Sequence, residues 1–301
     1  MKDRFDNLVI PVDKSTGLST YDVIRRFRKT VRADKVGHSG TLDPLATGLV
    51  LILTGAATKL SNYLMELPKT YIADVRLGEA TDTQDSTGTV LRSAGWGGVG
   101  EEQIREMLPR FTGTRMQVPP MYSALKHKGT PLYALARKGQ EIDRAPREVD
   151  THEIELLGCD LPIFRIMVRC SRGMYVRVLA EEMGDALGVP ACLHNLVRTE
   201  VGHFNLDSAV KDTDFAALAG MEKPGYSLSE ALGHFPAVEL SAVQARGLEN
   251  GIAPRIRESF PQTGVYVRLI RPDGELGAIA ETGAAGILHL KKVFNVAAAS
   301  G

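Results

Sequence analysis

The stretch GHSGTLDPLATG, residues 37–48, carries one carboxylate, Asp43, among glycines, hydroxyls and small apolar residues, directly before the apolar run 49–53. Read as structure alone, an Asp-Pro pair starts a turn, and an aspartate ahead of an apolar run caps it. His38 lies five residues earlier across Gly40, and the glycines of the stretch, Gly48 included, leave with Ala46 backbone room for a planar group beside the acid. A phosphate loop is disfavoured, because no Gly-Lys-Ser/Thr follows to neutralise a triphosphate and an acid would repel it. What remains is a carboxylate acting as nucleophile or general base.

Such a carboxylate needs a positive partner. SRGMYVRV, residues 171–178, puts Arg172, Tyr175 and Arg177 at a turn after a predicted strand. An arginine fork there can hold a carboxylate ionised and oriented. A second cationic feature lies between Met107 and Gln140, with six basic residues (Arg110, Arg115, Lys126, Lys128, Arg137, Lys138) and no acidic one. Tyr122 and Tyr133 interleave with them, offering aromatic faces for bases beside charges for phosphates. The whole chain balances 36 Lys and Arg against 36 Asp and Glu, so this surface is local and no global basicity announces a nucleic acid.

The elements that must position these groups follow from periodicity. Leu8-Val9-Ile10 predicts a short strand ending at Pro11, and Ser19 with Asp22 predicts a capped helix. Val23, Ile24, Phe27 and Val31 share one side of that helix, and Arg25, Arg26, Arg28, Lys29 and Arg32 fill the others. Residues 70–77 alternate as a half-exposed strand closed by Gly78. The loop TDTQDSTG, 81–88, then offers carboxylates without an apolar partner, and SAGWGGVG, 93–100, reads as a flexible connector. A short amphipathic helix carries Ile104, Met107, Leu108 and Phe111; a strand over 164–170 and a helix over 176–187 follow, stopped by Gly188-Val189-Pro190. A further helix-like patch spans 212–219.

From about Phe235 the texture changes to a short helix, 241–249, and a hairpin of 265–270 with 277–280 across Arg271-Pro272-Asp273-Gly274. A unit this small is predicted to pack on the main body. Cys159, Cys170 and Cys192 show no metal-binding spacing and read as reduced, partly buried thiols. No signal peptide or membrane span is predicted, so the expected location is the cytoplasm.

Taken in order, GHSGTLDPLATG, Lys69-Thr70-Tyr71, TDTQDSTG, PPMYSALKHKGTPLYALARKG (119–139) and SRGMYVRV resemble bacterial TruB-type tRNA pseudouridine synthases, which isomerise uridine 55 in the T loop. The resemblance covers essentially the whole chain. It implies an α+β fold: a catalytic core on a mixed, largely antiparallel sheet with flanking helices over 1–232, an RNA-binding insertion at about 115–145, and a β-rich PUA-like domain over 233–301. It implies Asp43 as nucleophile, Arg177 as its salt-bridge partner, and Tyr71 stacked on the target base. His38, Tyr175, Leu196, Asp85, Lys126 and Lys128 are implied to contact substrate.

One departure is visible, since the family usually reads Asp-Lys-Pro where this chain has Asp13-Lys14-Ser15; the missing proline bears on the stiffness of the turn. The implied partner is the tRNA T stem-loop, bound by a monomer without guide RNA, protein partner, cofactor or metal. Attack of Asp43 at C1′, attack at C6, and elimination through a glycal with Tyr71 or another base taking the C2′ proton all remain open. The competing reading is an RNA-binding or tRNA-folding module without catalysis. The joint presence of Asp43, Tyr71 and Arg177 favours the enzyme, because a binder has no use for a paired, sequestered carboxylate.

Overall fold

The apolar run 49–53 and the alternating run 70–77 become strands of one large sheet, with a third strand between them. The computed structural model describes residues 5–255 and 262–294. Along the chain run β1 (Val9–Lys14), α1 (Thr20–Val31), β2 (Val36–His38), β3 (Thr47–Thr54), α2 (Ser61–Met65), β4 (Lys69–Leu77), β5 (Glu79–Thr81), β6 (Val90–Ser93), α3 (Glu101–Met107) and β7 (Gly113–Gln117). The small hairpin β8 (Lys126–His127) and β9 (Thr130–Pro131) and helix α4 (Leu132–Ala136) precede β10 (Arg147–Asp160), β11 (Ile163–Cys170), α5 (Val176–Leu187) and β12 (Ala191–Val201). Then come β13 (Phe204–Asn205), β14 (Val210–Lys211), α6 (Leu228–Ala231), β15 (Ala237–Glu239), α7 (Ala242–Glu249), β16 (Tyr266–Ile270), β17 (Leu276–Thr282) and β18 (Leu288–Val293).

The main sheet runs β14-β1-β3-β12-β4-β11-β10-β7, with β13 on β12 and β2 on β3. Its β1–β14 and β3–β12 pairings are parallel and the others antiparallel, the mixed, largely antiparallel sheet that the sequence implied. β3 is apolar from Leu49 to Leu53 because both of its faces are covered there. Ile52, with Ile10 and Val12 of β1, packs on Val23, Phe27 and Val31 of α1. Leu49, Leu51 and Leu53, with Val9, face the other way, toward Leu276, Ile279 and Phe294.

That second contact is how the C-terminal unit attaches. Strands β15 to β18 form their own sheet, and Val238, Leu248, Val267, Leu269, Ala278 and Ala280 form its own core. Ile279 points to the opposite side of β17 from Ala278 and Ala280 and seals the core of the body. The predicted packing of the small unit on the body is therefore present.

Several local expectations change. β1 continues through Pro11, which lies opposite Leu51. Its nitrogen shares the side on which Val9 exchanges bonds with Tyr226, and β14 pairs only from Val12 onward, so no ladder donor is missed. The 93–100 connector is held: Trp96 packs against the main core and folds over Gly78, where an added Cβ would stand 3.2 Å from its ring. The 212–219 patch closes as a 3-10 turn, Phe215–Gly220, since the three-residue spacing of buried Phe215 and Leu218 fits three residues per turn. Helices α1 and α5 carry the end signals the sequence announced, a capping box at Ser19 and left-handed Gly188, and α7 adds a capping box at Ser241. All three cysteines are free, and burial pushes the Cys170 thiol up to about 12. Among the described residues no helix is long and apolar enough to cross a membrane.

Candidate active site

Asp43 sits in the loop between β2 and β3, and that loop is held by its carbonyls. Buried backbone acceptors must be paired, and from Gly40 to Leu45 each one is. Arg198 of β12 donates to Gly40 and Thr41 (3.5 and 3.4 Å), and the Thr20 hydroxyl, at the start of α1, donates to Leu42 (3.3 Å). Ala46 N–H bonds the Asp43 carbonyl at 3.1 Å, Gly17 N–H and Lys14 Nζ bond that of Pro44 (2.7 and 3.5 Å), and the Thr16 hydroxyl bonds that of Leu45 (3.0 Å). The β1–α1 connection thus acts as a mould for the acid loop. Ser15 Oγ donates to Asp212 Oδ1 at 2.6 Å, which fixes the turn where a proline was expected.

The Asp43 side chain stays 38% exposed while its partner Arg177 is 4% exposed. Arg177 lies in the first turn of α5 and spends its guanidinium on three segments. Nε donates to Asp43 Oδ2 at 2.8 Å, Nη1 to the Thr83 carbonyl at 2.9 Å, and Nη2 to the Tyr122 carbonyl at 2.8 Å. Satisfying a buried charge in this way is what makes its burial tolerable.

Asp85 is folded inward, against the expectation that its loop lacked an apolar partner. It is 6% exposed, and its Oδ1 accepts from Thr83 Oγ1, Thr87 N and Thr87 Oγ1 at 2.8, 3.0 and 2.6 Å. Its Oδ2 stands 3.8 Å from Arg177 Nε, behind the guanidinium.

Tyr71 of β4 packs with Leu42, Ala46 and Leu196 of β12 in one core cluster, which brings the phenol and the leucine beside the acid loop. Burial pushes the Tyr71 hydroxyl up, against the nearby Arg198 charge, so the phenol keeps its proton. Tyr175 is the residue before α5 and is likewise pushed up by burial. His38 of β2 is held down by burial, hence neutral, and its Nδ1 has no partner.

Three sequence expectations need correction. Arg172 does not join the site; its exposed guanidinium pairs with exposed Glu66. Gly48 does not open room for a ligand: it has φ +99°, and a Cβ there would lie 2.4 Å from the Arg198 carbonyl oxygen, so its smallness lets β3 approach β12. Of the six basic residues, Arg115 faces inward to Glu182 and stacks on Phe111. Lys126 and Lys128 stand exposed on the β8–β9 hairpin, whose Lys128-Gly129 turn has both φ angles positive (47° and 86°). They are not brought to Asp43. Their segment leaves the sheet at Gln117 and returns at Arg147, its direct ladder partner.

Lys14, Thr16, Thr20 and Arg198 were missed by sequence reasoning. Lys14 is fully buried, gives its ammonium to the carbonyls of Ser15, Leu18 and Pro44, and is lowered to about 8 by burial. Among the described residues no group of three or more His, Cys, Asp or Glu could hold a metal ion.

The N-terminal domain of the TruB family of pseudouridylate synthases matches residues 28–176. A tRNA pseudouridine synthase B of Geobacter sulfurreducens is 41% identical over 303 residues, covering 95% of this chain and 99% of the relative. One from Bordetella pertussis is 50% identical over 204 residues, 67% of this chain and 84% of the relative. Among solved structures, a chain of a Cbf5-Nop10-Gar1 complex superposes with TM-score 0.75 at 24% identity, over 97% of this chain and 86% of that one, a likeness of fold. A paired carboxylate in this fold, together with identity of this extent along nearly the whole chain, makes it a member of the TruB family of pseudouridylate synthases, an isomerase.

Proposed function

We propose that the chain isomerises uridine 55 in the T loop of tRNA to pseudouridine, with Asp43 as the nucleophile on a uridine turned out of its stack. One observation carries the reading: the Asp43 carboxylate is reachable from solvent yet fixed, at 2.8 Å, by a guanidinium that is itself buried. A merely structural pair would gain nothing from leaving the acid open. The names of the relatives supply the substrate class.

Extruding the uridine costs a few kcal/mol, and His38, neutral and partly buried, is suited to fill the vacated space. Tyr71 stacks on the base, with Leu196 beside it. The reaction breaks N1–C1′ and forms C5–C1′, so no atoms are gained or lost. In a glycal route the C2′ proton needs a base; burial opposes a Tyr71 phenolate, which leaves the Asp43 carboxylate to meet C1′, C6 or that proton. Arg177 holds the carboxylate in a near-attack position, and Asp85 steadies Arg177 from behind.

Residues 1–232 form the catalytic domain and 233–301 a PUA-like RNA-binding domain in this reading. Lys126, Lys128 and Tyr175 contact the tRNA, and the exposed basic hairpin gives a monomer its own grip, without guide RNA or partner protein. Incubation with an unmodified tRNA transcript, followed by carbodiimide mapping, tests the proposal. Pseudouridine is expected at position 55 alone; modification elsewhere, or none, would overturn it.

A further inference from the structure

Gln117, the last residue of β7, is 2% exposed and spends its whole amide on one residue of the catalytic turn. Tyr175 N–H donates to its Oε1 at 2.8 Å, and its Nε2 donates to the Tyr175 carbonyl at 3.2 Å. The backbone N–H can only donate, so the orientation of the amide is dictated. Tyr175 is the N-cap of α5, and no side-chain bond caps that helix. Gln117 therefore does for Tyr175 what a neighbouring strand would do, and it does so two residues before Arg177. It is also the point at which the basic insertion leaves the sheet, opposite Arg147. A second tie lies just beyond, where Arg177 Nη2 donates to the Tyr122 carbonyl at 2.8 Å. The root of the insertion is thus stapled twice to the turn that carries Tyr175 and Arg177.

We propose that Gln117 is a positioning residue: by holding the backbone of Tyr175 it fixes the start of α5, from which Arg177 orients Asp43, and it couples the seating of the insertion on RNA to the carboxylate. The inference rests on the tRNA reading above.

The test is single-turnover pseudouridine formation on unmodified tRNA with enzyme in excess, beside tRNA Kd from filter binding. In Gln117→Leu the saturating rate should fall by about 10- to 100-fold, the loss expected from a misplacement on the order of 1 Å, while Kd changes by less than about threefold. Gln117→Glu supplies a second readout. As a carboxylate it sets an oxygen against the Tyr175 carbonyl, whereas its protonated form restores one donor and one acceptor. The ratio of its rate to wild type should therefore rise as pH is lowered, which loss of packing alone would not produce. If Gln117→Leu does not fold, that ratio decides. A wild-type rate in Gln117→Leu, a Kd loss as large as the rate loss, or a pH-independent Glu-to-wild-type ratio would each overturn the inference. Inactive wild type would strike the function reading first.

Discussion

The Arg177 clamp and the basic insertion use the same chemistry of positive charge in opposite ways. Arg177 is buried and makes three charge-assisted bonds to three separate segments. Lys126 and Lys128 are exposed on a two-stranded hairpin. A sequestered guanidinium determines where an atom sits, because moving it leaves acceptors unpaired in a low-dielectric setting. An exposed ammonium determines how often RNA arrives and how long it stays, and salt weakens it. The first should govern rate and the second affinity.

The largest effect expected is from Asp43→Asn, which keeps the size of the side chain and removes its charge and nucleophilicity. Turnover should vanish with tRNA affinity nearly intact, read by pseudouridine mapping and filter binding; residual turnover above about a few per cent of wild type would remove Asp43 from the chemistry. Next is Arg177→Met, which frees Asp43 and leaves the Thr83 and Tyr122 carbonyls without their donor. The saturating rate should fall on the order of 10²- to 10³-fold, the scale of losing one preorganised electrostatic contact. An unchanged rate would reduce the clamp to scaffolding.

The third variant tests the other region. Lys126→Glu with Lys128→Glu should weaken tRNA binding and make the slope of log K against log salt shallower by about 2, while the saturating rate changes little. Unchanged affinity and slope would move the RNA-facing surface elsewhere, to the exposed arginines of α1. The smallest effect belongs to Arg172→Ala: an exposed pair with Glu66 contributes little, so rate and Tm should stay close to wild type. A severe loss would mean that the charge set on the turn had been divided wrongly between Arg172 and Arg177.

How much of this was legible depends on how local the cause is. The boundaries of α5 could be read because Gly173, Gly188 and Pro190 punctuate a helical pattern, and Asp43 stood out as a lone acid among small residues. The division of labour within SRGMYVRV could not be read, since inward or outward facing depends on the phase of α5 after the turn. Lys14, Thr20, Arg198 and Gln117 were invisible for a different reason. They work through backbone carbonyls and amides, which every residue has, so their partners leave no mark in the sequence. Gly48 misled because room for a ligand and room for a neighbouring strand look alike until the parallel pairing with Arg198 is known.

The place of β1 in the sheet also bears on the order in which the chain is made. Its inner edge can pair with β3 early, but its outer edge waits for Val210, Lys211 and Tyr226. Val9 also shares a core with Leu228, Leu232 and Phe294, which are made later still. At ribosomal speed the wait for Val210 is about 10–40 s, for some two hundred residues. During it a strand edge and an apolar face of the nascent chain remain open to chaperones, proteases or a sister chain on the same message. Arrested chains ending before Val210 should be cut within β1 by a protease that the released protein resists; equal resistance would mean that the N-terminal layer closes without its late partners.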